Sequence, residues 1–208
     1  MSRISRRAAL AAITLALLLP ALPGEAETSP TAVLQGFYDT LLATMKDGPK
    51  LGFAGRYSQL RPAIDAAFDL PLMARLSIGP QWQSLSPEQQ QQLTASFQEY
   101  TYSTYASRFD DYSGERFEVT PQTSQTANGP VVQTRLVKAE GDPVSINYLM
   151  KQGNGSWRIM DVFLNGTVSE LATRRAEFTS VLRRDGADGL VRLLTERVGQ
   201  MKSGSKGG

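Results

Sequence analysis

The sequence predicts a single α+β domain in which helices cover one face of a curved, four-stranded antiparallel sheet and enclose an apolar pocket. Three observations predict it. Apolar residues recur at helical three- and four-residue steps as far as residue 111, alternate from residue 115 to about 160, and return to helical steps after Gly166. Helices, then a meander, then helices form an α+β arrangement rather than a parallel α/β one. The 208 residues show no repeat and no interdomain linker, so one domain with room for a ligand-sized interior is expected.

The N-terminus carries Arg3, Arg6 and Arg7, an apolar run from Ala8 to Leu19, and Gly24-Glu25-Ala26 in small-x-small spacing. These are the three regions of a cleavable signal peptide, assigned to residues 1–26. Twelve residues span only about 18 Å as a helix, short of the roughly 30 Å hydrocarbon core. Ser5-Arg6-Arg7-Ala8-Ala9-Leu10 partly resembles a twin-arginine signal, but Ala9 stands where a bulky residue is usual, which favours the general secretory route. The domain then runs over 27–202, followed by a disordered tail at 203–208.

Ser29-Pro30 predicts an N-cap and first-position proline, and Val33, Leu34, Phe37, Tyr38, Leu41, Leu42 and Met45 supply the apolar face of the first helix. Residues 56–78 contain Pro62 and Pro71, which predict two short helices ending at Ile78-Gly79-Pro80. Ser86-Pro87-Glu88-Gln89 predicts a capping box opening the longest helix, which runs to about Asp111 without Gly or Pro. On it Leu93, Phe97 and Tyr100 face one way and Tyr102, Tyr105, Phe109 and Tyr112 mostly the other.

Four strands follow, through Phe117-Val119, Val132-Leu136, Val144-Met150 and Trp157-Ile159. Asn128-Gly129-Pro130, Glu140-Gly141-Asp142-Pro143 and Gly153-Asn154-Gly155 are the turns between them. Helical spacing returns through Val168, Leu171, Phe178 and Leu182, stops near Gly186, and resumes from Asp188.

The chain has no Cys and no His, which removes disulfides, thiolate nucleophiles and imidazole bases. No Ser-x-x-Lys stands in the domain before the tail, Asp110-Asp111 lacks a second carboxyl partner, and Gly153-x-Gly155 opens no helix as a phosphate loop would. Catalysis has no visible residues, and no cofactor is implied. Loss of residues 1–26 takes the net charge from +2 to neutrality, which argues against a nucleic-acid partner. Arg175 falls at the centre of the stripe made by Val168, Leu171, Phe178 and Leu182. A buried cation needs a counter-ion, and a structural pair with Asp161 is the first reading, with a lipid phosphate as the alternative.

At Trp157-Arg158-Ile159-Met160-Asp161-Val162, Asn165-Gly166, Arg175-x-x-Phe178 and Leu182 the chain resembles the toluene-tolerance, or MlaC, family of periplasmic lipid carriers. Gly79-Pro80-x-Trp82, the Gln-rich helix start with Phe97, Tyr105-Ala106 and the strand around Tyr148 extend the resemblance over nearly the whole domain. Phe163 to Ala172 and Val181 to Gly186 are most similar to the hopanoid-biosynthesis-associated branch. Arg174 departs from the phospholipid-carrier branch, which usually has an aromatic there.

The resemblance implies a cone similar to nuclear transport factor 2, holding a phospholipid or hopanoid. It also implies an inner-membrane lipid transporter and an outer-membrane acceptor complex as partners, with transient membrane contact. On this reading Val132, Leu136, Ile146 and Tyr148 form one wall of the pocket, and Phe97, Tyr100, Tyr105, Phe178 and Leu182 the other, with Arg175 at the headgroup. Two other readings compete: an accessory subunit that bridges a transport machine without carrying lipid, marked by a filled core, and a small enzyme on the same cone.

Overall fold

The computed structural model describes residues 29–153 and 155–204. The expected signal segment at 1–26, with residues 27 and 28, Asn154 and residues 205–208, lies outside the described residues. Helix α1 (Pro30–Lys46) is capped by Ser29, whose hydroxyl accepts from the Ala32 amide, and it buries Leu34, Phe37, Tyr38, Leu41 and Met45.

Helix α2 (Gly48–Ala67) and helix α3 (Leu70–Ile78) replace the two short helices expected to break at Pro62 and Pro71. Pro62 does not end α2. The acceptor it leaves free is the Ser58 carbonyl, and both residues sit on the solvent face, where that carbonyl is not stranded in the core. The breaks fall instead at Gly52, with φ of 60°, and at Phe68, which is extended. Pro71 stands in the first turn of α3, with Asp69 as N-cap accepting from the Leu72 amide.

A 3₁₀ turn (Gly79–Ser84) leads to α4 (Pro87–Arg108), whose capping box forms as expected: the Gln89 amide donates to Ser86 Oγ at 3.3 Å and the Ser86 amide to Gln89 Oε1 at 3.0 Å. At 22 residues α4 is the longest uninterrupted helix, because the 33-residue α5 (Glu170–Lys202) is broken at Gly186, where φ is 69°.

The sheet has five strands rather than four, in the order β1 (Arg116–Thr126), β2 (Gly129–Val137), β3 (Val144–Gly153), β4 (Ser156–Leu164) and β5 (Val168–Ser169), every neighbour antiparallel. The fifth is two residues long. Asn165 and Gly166 turn the chain back with positive φ, so Val168 pairs with Leu164 instead of starting the helix, and Ser169 becomes the N-cap of α5.

The register slips between Val119 and Thr123, where Pro121 has no amide to offer, and again at Met160, which has no partner between the Leu149–Asp161 and Met150–Ile159 pairs. Such bulges bend a sheet. Gly129, at φ 130°, lets β2 begin against β3: a Cβ there would sit 2.5 Å from the Met150 carbonyl oxygen.

Helix α1 crosses β1, β2 and β4, and α2, α3 and α5 reach β4, while α4 is held by α2, α3 and α5. The two ends of α4 do meet different surfaces. Phe97 meets Phe178 of α5 edge to face at 6.5 Å, whereas Tyr102 stands against Tyr57 of α2 and hydrogen-bonds Asp65. Arg56 is buried and donates to the Ala106 and Gly48 carbonyls at 2.7 and 2.8 Å. That places a cation at the α4 C-terminus, where the helix dipole favours it. No helix among the described residues is long and apolar enough to cross a membrane.

Candidate functional site

A cavity of about 100 Å³ lies where α4 stands over the sheet, closed by α1, α3 and the first turns of α5. Its walls are mostly aromatic and aliphatic: Tyr38 and Leu41 from α1, Phe97, Tyr105 and Phe109 from α4, Phe117 from β1, Ile146 and Tyr148 from β3, and Val162 and Leu164 from β4. Tyr38 stacks on Phe117 at 4.3 Å and Tyr105 on Phe109 at 5.6 Å, with Phe37 edge-on to Tyr105 behind them.

One polar network crosses this surface. The Tyr38 hydroxyl lies 2.9 Å from that of Tyr148 and 2.7 Å from Thr134 Oγ1, within hydrogen-bond reach of both, and Thr134 Oγ1 donates to the Ile146 carbonyl. Burial pushes the Tyr38 phenol up to about 12, against the opposing pull of its bonds to Thr134 and Tyr148. Burial likewise raises Tyr105 and Tyr148, the latter well above the ordinary phenol value. At neutral pH these phenols are therefore uncharged, and the hydroxyls of Tyr38, Tyr148 and Thr134 are hydrogen-bonded within the protein, as a surface meant for hydrocarbon requires.

Charge is confined to the mouth, where Arg108, Glu170 and Arg174 line the cavity. Arg174 pairs with Glu170 at 3.5 Å and lies 4.8 Å from the ring centre of Tyr100 and 6.0 Å from that of Phe97. Arg197, paired with Glu177, covers the same Tyr100 ring at 5.9 Å. Burial alone would raise the Tyr100 phenol, but the Arg174 and Arg197 guanidiniums outweigh it and hold the group below its ordinary value.

Of the residues expected to form the pocket, Phe97, Tyr105, Ile146 and Tyr148 come together in its wall. Val132 is fully buried and Leu136 half-buried in β2 outside the cavity lining, Phe178 backs Phe97, and Leu182 lies farther along α5. Tyr100 sits beneath Arg174 rather than in the wall.

The expected Arg175–Asp161 ion pair does not form. Arg175 is exposed, donates from Nε to the Leu76 carbonyl at 2.8 Å, and lies against Gly79 away from the cavity. Asp161 is buried and accepts from the Val162 amide at 2.8 Å, the Leu171 amide at 3.1 Å and Ser169 Oγ at 2.6 Å, anchoring the start of α5. The physical reason is the late helix start. With α5 beginning at Glu170, the exposed Val168 drops out of the helical stripe, whose buried residues Leu171, Phe178 and Val181 centre near Arg174, while Arg175 stands about 100° farther round.

Sequence reasoning missed Arg108, Glu170, Arg174, Thr101 and Thr104 as cavity residues. A signal for Arg174 was present, because it replaces an aromatic in an otherwise apolar context. Thr101 and Thr104 gave none: each hydroxyl donates to the carbonyl four residues earlier, which hides its polarity inside α4.

An α+β cone whose sheet and helices enclose an aromatic-lined cavity with charge only at its mouth defines a binding domain for an apolar ligand. The family described as MlaC protein matches residues 35–196, and the chain belongs to it, a family of periplasmic lipid-binding carriers. Among solved structures, the chain is similar to a phospholipid-binding protein from Ralstonia solanacearum in complex with a phospholipid. That likeness has 25% identity and a TM-score of 0.72, over 83% of this chain and 98% of the other. No curated protein matches the chain.

Proposed function

We propose that this protein is exported to the periplasm and carries a single membrane lipid, a phospholipid or a hopanoid, between an inner-membrane transporter and an outer-membrane acceptor. The observation that carries the reading is the cavity: aromatic and aliphatic walls, neutral phenols, and charge only at the mouth. The phospholipid held by the similar Ralstonia solanacearum protein supports it.

The need is physical. A two-chain lipid leaving a bilayer exposes about 30 methylenes at about 0.8 kcal/mol each, a gross cost near 24 kcal/mol. A barrier of that size permits on the order of one escape per day. A cavity that takes the chains without wetting them removes most of it.

The cavity volume of about 100 Å³ sets a condition on this reading. An engineered apolar cavity of about 150 Å³ holds one benzene. Loading a lipid chain therefore requires the walls to separate, and the breaks in α2 at Gly52 and in α5 at Gly186 are the joints at which the covering helices can swing. The same small volume favours the competing reading, a bridging subunit that carries no lipid.

Incubation with vesicles containing labelled phospholipid, followed by gel filtration, separates the two readings. The carrier comigrates with one lipid per chain. A protein that emerges unlabelled after both brief and prolonged incubation is the bridging subunit.

A further inference from the structure

Arg108 is the one charged group at the cavity mouth whose side chain has no ion pair or hydrogen bond among the described residues. It is solvent-exposed and lines the cavity, so it borders both media. Its place in the last turn of α4 favours the helix dipole, which accounts for a cation there but not for its position on the cavity wall.

Glu170 and Arg174 neutralise each other across the same opening. Arg108 therefore leaves the mouth with one uncompensated positive charge. Arg108, Glu170 and Arg174 all line this one cavity.

We propose that Arg108, lining the same cavity as Arg174, reads the phosphate of the carried lipid and selects phosphodiester headgroups of net negative charge over zwitterionic ones. This rests on the lipid-carrier reading. A phosphodiester with an uncharged substituent carries one negative charge and completes the mouth. A headgroup bearing its own quaternary ammonium brings a second cation to a place where Glu170, the one carboxylate lining the cavity among the described residues, is already engaged by Arg174. A guanidinium also matches two phosphate oxygens with parallel N–H donors, which an ammonium does not.

The test is competition between phosphatidylglycerol and phosphatidylcholine of identical chains for the delipidated protein. For an exposed charge the expected preference is about fivefold, from an interaction near 1 kcal/mol. It shrinks toward unity at about 1 M salt, where the Debye length is about 3 Å. Arg108→Gln removes the preference and Arg108→Lys keeps part of it. Glu170→Gln frees Arg174 and enlarges it, a change of opposite sign that misfolding does not produce.

Equal affinity of the wild-type protein for the two lipids overturns the proposal and leaves the carrier reading standing. Failure to bind either lipid overturns the carrier reading and this one with it. Inorganic phosphate is the second probe. Saturable stabilisation by phosphate alone, without preference between the lipids, overturns headgroup selection in favour of a free-anion site.

Discussion

Thr101→Phe should make the lipid-free protein more stable and the lipid-bound protein rarer. Thr101 is buried in α4 and lines the cavity, and its hydroxyl donates only to the Phe97 carbonyl of its own helix at 2.9 Å. Replacing it strands no partner, because a carbonyl inside a helix keeps its backbone bond. An unfilled apolar cavity costs about 24 cal/mol per Å³. The 100 Å³ present here therefore holds about 2.4 kcal/mol that filling can return, as a ceiling. A phenyl ring that fills half of it returns about 1 kcal/mol, which for a domain of this size raises the melting temperature by about 2–4 °C. The same ring occupies the space a chain needs, so copurifying lipid should fall severalfold. Calorimetry of the delipidated variant and lipid quantification after native purification read the two effects. A lowered melting temperature means that no such space adjoins Thr101, and undiminished lipid content means that the space is not the binding site.

Asp161→Asn removes the charged acceptor of three donors and should cost about 2–3 kcal/mol in urea unfolding, while Arg175→Ala, at an exposed site, should cost less than about 1. Equal costs would restore the ion pair the structure lacks. The Tyr38 phenol titrates near 12 in the fold against 10.0 unfolded. Its raised value stabilises the fold fully below pH 10 and is lost as pH rises through 12, by about 3 kcal/mol in all. Tyr38→Phe should therefore flatten the alkaline limb of stability against pH, and an unchanged limb assigns it to other groups. Gly129→Ala should cost at least about 1–2 kcal/mol, because it combines positive φ with a Cβ 2.5 Å from the Met150 carbonyl. A neutral result would show that β2 and β3 separate freely at that end.

Much of this architecture was readable where one local signal had no competitor. The Ser86 capping box, the uninterrupted helix behind it, the alternation of Val144, Ile146 and Tyr148 and the stop at Gly186 are each settled within a few residues. Pro62 misled because at an exposed position the carbonyl a proline frees is open to solvent and the helix can continue, and exposure of that carbonyl is a tertiary fact. Residues 165–169 misled through phase. The turn at Asn165 and Gly166 inserts a two-residue strand, delays α5, and passes the mouth position from Arg175 to Arg174.

The cavity was half legible for the same kind of reason. Strand alternation gave Ile146 and Tyr148, which line the cavity, and Val132 and Leu136, which do not, equal standing, since period two reports the face and not the position along it. Arg108 and Glu170, near helix ends and polar, carry no periodic signal at all.

The most direct test of the central claim is mass spectrometry, native and then denaturing, on the protein purified from the cells that make it without any denaturation step. The account predicts one lipid per chain, released on denaturation and identifiable by its mass. A protein that arrives empty and stays empty when offered phospholipid and hopanoid vesicles would contradict it.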